Sequence, residues 1–181
     1  MSFTKSIPIY IGTWSENLRW ELYLSASLPP AKLCNAVLCV AILNNDRIVL
    51  ARTKRGWGML GGHIEENETI ERALVRELYE EGGYTPEHYT PFAYRKIIAK
   101  HPEPHQQPGK LYPFPVSYIP FFLATTTKAT VQPTGPEVLA SQSFSIKELA
   151  GLQSGDQKVI ELGWEFYKNN QPSYDKSNGT G

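Results

Sequence analysis

Glu77, Glu80 and Glu81 stand at positions i, i+3 and i+4 of a 181-residue chain, a spacing that gathers three carboxylates on one ridge of a helix. On a wheel advancing about 100° per residue they fall within an arc of roughly 100°. Ile70, Leu74 and Leu78 lie beside that arc, so the acidic ridge borders the apolar face that must pack on the rest of the molecule. Like charges at this spacing cost roughly 0.2–0.5 kcal/mol per pair on a free helix, and a helix C-terminus adds an unfavourable dipole. A cation would relieve both. Carboxylate oxygens are the ligands Mg2+ prefers, with substrate phosphates completing its octahedron. The alternative is a solvated charge face paired with Arg72 and Arg76, and the triplet alone leaves that reading in front.

The wider spacing changes the balance. Gly62 is followed by five residues, Glu68, seven more, and then Arg76-Glu77-Leu78-Tyr79-Glu80-Glu81-Gly82-Gly83. This resembles the Nudix box, G-x5-E-x7-R-E-U-x-E-E-x-G-U with U apolar, at every fixed polar and glycine position. Tyr84 stands where an aliphatic residue is usual. Upstream, Met59-Leu60-Gly61-Gly62 replaces the common Leu-Pro-Gly-Gly, which removes a rigid φ and no metal ligand. The resemblance extends more weakly over Asn35 to Lys168, and the first 30 residues lie outside it.

The resemblance implies a Mg2+-dependent pyrophosphohydrolase, with Mn2+ able to substitute. Glu77, Glu80 and Glu81 would bind metal, Glu77 being the first choice to orient or deprotonate the attacking water, and the Gly61 carbonyl would add a ligand. Arg76 would hold the glutamates by charge-assisted hydrogen bonds, with Glu68 and Gly62 in support. Family members often add an acid from a loop before the last helix. Glu137 is the only acid between Glu103 and Glu148, so it is the candidate, weighed equally against an ordinary solvated loop glutamate. The implied substrate is a nucleoside diphosphate linked to a group X. The leaning is to a nucleoside triphosphate giving a monophosphate and pyrophosphate. ADP-ribose or another NDP-sugar is the rival, with Pro102 slightly late for that type. A non-catalytic nucleotide-binding module is a third reading, disfavoured because every box glutamate is present.

Composition bounds the partners. Lys plus Arg number 18 and Asp plus Glu number 18, so no overall field draws nucleic acid or an anionic membrane, and a polyanion must be held locally. No signal peptide is read at the N-terminus, and no run approaches the roughly 20 apolar residues of a bilayer span. Cys34 and Cys39 are five apart; in a strand they would face opposite sides and so not bridge. A cytoplasmic protein is expected.

The elements that must position the ridge follow from periodicity. The expected fold class is α/β: a Nudix-type α/β/α sandwich with a mixed β-sheet, plus an N-terminal β-hairpin extension. Residues 1–30 form that extension, 31–168 the catalytic domain and 169–181 a tail. Alternation at Ile7/Ile9/Ile11 and Trp20/Leu22/Leu24 predicts two strands about a turn near Ser15–Asn17, a hairpin that could pair across a homodimer. Asn35–Leu43 reads as a strand buried on both faces, returning through Arg47–Thr53. Then come a glycine-rich loop, a helix over 68–81, strands at 92–99 and 117–125, and a last helix at 155–168.

Substrate contacts are expected from loops. Arg52 leads toward the box loop and could meet phosphate, or be a solvated strand end. Trp57 could stack on a base, or anchor packing. The connection 100–115 exceeds a hairpin turn and carries His101, His105, Lys110 and Tyr112. Lys110 and Tyr112 are its candidates for gripping phosphate or base, and its prolines work against a zinc site at the two histidines.

Overall fold

The computed structural model describes residues 7–43, 45–102, 108–110, 112–126, 132–152 and 156–170. Residues 171–181 of the expected tail, and His105 with Glu103, lie outside the described residues.

One mixed sheet dominates. Its strands are β1 (Tyr10–Thr13), β2 (Leu18–Leu24), β3 (Ala36–Leu43), β4 (Arg47–Thr53), β5 (Gly56–Gly58), β6 (Leu60–His63), β7 (His88–Ala99), β8 (Val116–Thr126) and β9 (Ala140–Phe144). They run in the order β1-β2-β7-β8-β3-β4-β5, with β6 on β3 and β9 on β4. β3 and β8 pair parallel, and the remaining pairings are antiparallel. The helices are α1 (Ile70–Gly82), α2 (Ile146–Leu149) and α3 (Gln157–Asn170).

The continuous apolar run of β3 is explained by cover on both faces. Val37, Cys39 and Ala41 pack with Ile70, Ala73, Leu74 and Leu78 of α1. Val40 and Ile42 pack with Leu149 of α2 and Val159 and Ile160 of α3. Each such aliphatic side chain taken from water contributes about 1.5–3 kcal/mol. The α/β/α layering is thereby set by the alternation of one strand.

β3 also divides its remaining edge. Its first half, Ala36–Cys39, pairs with β6, and its last residues, Ala41–Leu43, pair with β4. The glycine-rich stretch read as a loop is therefore two short strands, a difference local pattern does not reveal because glycine carries no strand periodicity. The parting of β4 and β6 along β3 leaves room for a cleft between them.

Two further expectations are corrected. Cys34 and Cys39 are both free and fully buried, but they lie in the same core layer rather than on opposite faces. Cys34 closes a short 3-10 turn (Ala31–Leu33) ahead of β3, so the alternation of the strand does not reach it. The box helix begins at Ile70, one residue beyond the cap Thr69, whose side chain accepts the Arg72 amide at 3.2 Å. It ends at Gly83, which adopts φ 70°, a conformation that favours glycine. The N-terminal hairpin turns where expected, with the Trp14 amide on the Leu18 carbonyl at 2.9 Å, and β2 joins the sheet along β7.

Candidate active site

β6 brings two glycines against α1, and each is required for a different reason. Gly61 has φ 141°, and a β-carbon there would collide with the Val37 carbonyl and the Leu38 backbone. A β-carbon on Gly62 would occupy the place of the Glu77 carboxylate. The strand thus approaches the helix closely enough for backbone and carboxylates to meet. The Gly61 amide donates to Glu81 Oε2 at 2.8 Å, a role for Gly61 that the sequence reading, concerned with its carbonyl, omits.

Arg76 is the hub. Its Nε and Nη2 donate to the two oxygens of Glu68, each at 2.9 Å. Nη1 donates to Glu77 Oε1 at 2.7 Å and to Glu80 Oε2 at 3.2 Å. Nη2 also reaches the His63 carbonyl at 3.0 Å, tying the helix to the end of β6. The forked guanidinium makes this possible where an ammonium could not. Glu68 accepts the Glu65 amide as well, and Arg76 holds its carboxyl below the usual range despite burial.

The acids outnumber the cation. Glu68, Glu77 and Glu80 share Arg76, while Glu81 has a backbone amide instead. Burial pushes the Glu81 carboxyl up to about 7, with Glu77 and Glu137 adding to the rise and the Gly61 amide and Arg55 opposing it. Burial raises Glu77 too, against the pull of Arg76. Among the described residues no three His, Cys, Asp or Glu side chains converge as a ready-made ion cage. The donors on the ridge are nevertheless all hard oxygens, and they are carboxylates set beside one another, two of them buried, with a single arginine between them. That combination fits a divalent cation such as Mg2+.

The loop at 132–139 docks on the end of α1. The amides of Thr134 and Gly135 both donate to the Glu80 carbonyl at 2.8 Å, satisfying a helix-end acceptor. This carries Glu137 near enough to Glu81 to raise its pKa, although Glu137 itself stays exposed.

Two cavities flank β6. One, of about 330 Å3, is lined by Gly61, Glu81, Arg55, Trp57, Met59 and Asp156 among others. Trp57 anchors packing, its ring meeting Phe144 edge-on at 5.0 Å, and it also walls the cleft. Arg52 is exposed on β4 and is not among the lining residues; Arg55, three residues on, is. Asp156, just ahead of α3, was not singled out either. Burial raises its carboxyl, opposed by Arg95 and the Met59 amide. A single acid before a helix carries no distinguishing pattern, and neither does an arginine at the turn between two strands.

The second cavity, of about 300 Å3, opens two residues further along β6, at His63. Trp14, Asn17 and Leu18 of the N-terminal hairpin form one wall, with Asn35, Ile97 and Ser117 of the sheet and Tyr112 of the long connection completing it. The Tyr112 ring lies 5.6 Å from that of His63. The backbones of Lys110 and Glu65 pair antiparallel, and the Glu66 amide donates to the Gly109 carbonyl at 2.7 Å, so this part of the connection is fastened beside the box.

Comparison with known proteins agrees with this geometry. A family profile described as NUDIX domain matches residues 32–163. An RNA pyrophosphohydrolase of Histophilus somni is 46% identical over 50 residues, 26% of either chain. The 8-oxo-dGTP diphosphatase of Escherichia coli is 49% identical over 45 residues, 25% of this chain and 33% of that one. This chain thus spans a quarter to a third of the curated relatives it matches. A crystal structure of a Bacillus subtilis pyrophosphohydrolase superposes with a TM-score of 0.63 at 16% identity, over 89% of this chain and 97% of that one, which speaks to the fold.

Proposed function

We propose, from the premise that this chain belongs to the Nudix family, that it hydrolyses the diphosphate linkage of a nucleoside diphosphate joined to a group X. The observation that carries this reading is the crowding of Glu77, Glu80 and Glu81 against Gly61 and Gly62 with one arginine among them. Glu77, Glu80 and Glu81 would hold the cation, joined by the Gly61 carbonyl and by Glu137. Bound there, Mg2+ or Mn2+ supplies charge neutralisation for the phosphates and lowers the pKa of a coordinated water.

The remaining work falls to the chain. Arg76 holds Glu77 and Glu80 in place, and Glu68 holds Arg76 in turn. Glu77, pressed between Gly62 and Arg76, orients the attacking water and takes its proton. Arg55, on the cleft wall beside Glu81, meets a phosphate of the substrate. A nucleotide panel assayed with Mg2+ and with chelator tests the reading. Hydrolysis should vanish in excess EDTA and return with Mg2+ or Mn2+; undiminished turnover in EDTA overturns it, and absence of turnover with every nucleotide favours a binding module.

Within this class, a nucleoside triphosphate giving a monophosphate and pyrophosphate was the leaning from sequence. The two cavities on either side of Gly62 support the other reading, in which X is more than a phosphate. Gly61 borders one and His63 the other, only two strand residues apart, about 7 Å. A diphosphate over the carboxylates would have a cavity at each end. An NDP-sugar or a dinucleotide uses both.

A further inference from the structure

The cavity under the N-terminal hairpin is a built recess rather than a gap. Its hairpin wall is fastened to the long connection by Asn17, whose Oδ1 accepts the His101 amide at 2.8 Å and whose Nδ2 donates to the His101 carbonyl at 3.3 Å. Trp14, half exposed, is steadied from behind: the Arg95 guanidinium lies 5.1 Å from its ring and 5.1 Å from that of Trp20. Arg95 is only 7% exposed, and its Nε has no hydrogen-bond partner among the described residues. Asp156 acts on this buried cation as an opposite charge, and the aromatic faces hold it from the other directions. The aromatic cage therefore fixes where Trp14 stands. Facing strand β3, Asn35 lines the same recess, and its Oδ1 is buried with no partner among the described residues. A buried acceptor left unmet is costly, and the Asn35 amide, turned toward the recess, would regain a partner from a flat group carrying an N–H.

We infer that this recess binds the X end of the substrate, and that X ends in a planar heteroaromatic ring, as in a dinucleotide. The ring stacks on Trp14 and Tyr112 and donates an N–H to Asn35 Oδ1, while the phosphates reach the carboxylates past His63. Trp14 lies in residues outside the segment matched by the family profile, so the hairpin is the part of this chain that selects X. The inference rests on the proposed diphosphate hydrolysis for its kinetic consequence and stands apart from it for binding.

Two probes separate the ends: diadenosine diphosphate, with a base at each end, and the β-methyl ester of ADP, with the same diphosphate and no second ring. Binding is read by calorimetry in chelator, where nothing turns over. Wild type should bind the first at least about tenfold more tightly than the second, as one stacked base provides. Trp14→Ala and Asn35→Ala should each abolish most of that ratio and leave the methyl ester unchanged. Trp14 is half exposed, so its loss leaves the core intact. Equal affinity of wild type for both probes, or an equal loss on both in the variants, overturns the inference. With Mg2+ the same ratio should appear in KM. Failure of all hydrolysis with the binding ratio intact would count against the proposed reaction alone.

Discussion

The carboxylate of Glu77 rests against the α-carbon of Gly62, in the space that the β-carbon of any other residue would fill. Strand and helix are thus fitted to each other closely, and the Glu77 oxygen nearest Gly62, Oε1, is also the one that accepts from Arg76 Nη1 at 2.7 Å. Much of the site's behaviour follows from how tightly that glutamate is confined.

Gly62→Ala should displace Glu77 by a fraction of an ångström to an ångström. Misplacement on that scale can cost about a hundredfold in rate. The expected result is a kcat lowered by that order with a small fall in melting temperature, read by steady-state kinetics beside a thermal melt. Normal kcat would mean that Glu77 takes no part in the reaction.

Arg76→Ala leaves Glu68 and Glu77, both largely buried, without their cation. Breaking such a pair from one side costs about 3 kcal/mol, and denaturant unfolding in chelator should find that loss. Arg76→Lys should recover only part of it, since an ammonium cannot bridge Glu68, Glu77, Glu80 and the His63 carbonyl together. Full recovery with lysine would show that charge alone matters.

The metal-free protein should lose stability as pH rises. Burial lifts the Glu81 carboxyl from an ordinary 4.5 to about 7, so the folded state retains a proton that the unfolded chain releases. That contribution is complete below pH 4.5 and is lost as pH climbs through about 7. Glu77 and Asp156, also raised, act in the same sense, whereas His63, lowered by burial, acts oppositely. Glu68, lowered, is lost only toward acid. Melting temperatures in EDTA between about pH 5 and pH 8 should therefore decline more steeply for wild type than for Glu81→Gln. Parallel curves would remove Glu81 as the cause.

Arg55→Ala should raise KM about tenfold, the loss of one charge-assisted phosphate contact. Arg52→Ala should leave KM alone, because its side chain is exposed on β4 away from the cleft lining. The reverse outcome would restore Arg52 as the phosphate contact.

The chemistry-bearing helix was legible in the sequence because it is local. Glu77, Glu80 and Glu81 sit within one turn and a half, beside an apolar face of period 3.6. Gly82 and Gly83 stop the helix by a backbone preference acting over a few residues, whereas its start at the Thr69 cap falls later than the pattern suggests. The two-faced burial of β3 was legible for the same reason, since a continuous apolar run has few other homes. What only the tertiary structure decided lies in contacts between distant segments. Cys34 and Cys39 share a core layer because a 3-10 turn interrupts the alternation. Arg55 rather than Arg52 meets the cleft, since β4 and β6 part along β3 there. Asn17 meets His101 across 84 residues and closes a recess that neither segment predicts alone. Periodicity reports which face of an element is buried; it is silent on which elements meet, because that is chosen by the packing of all of them at once.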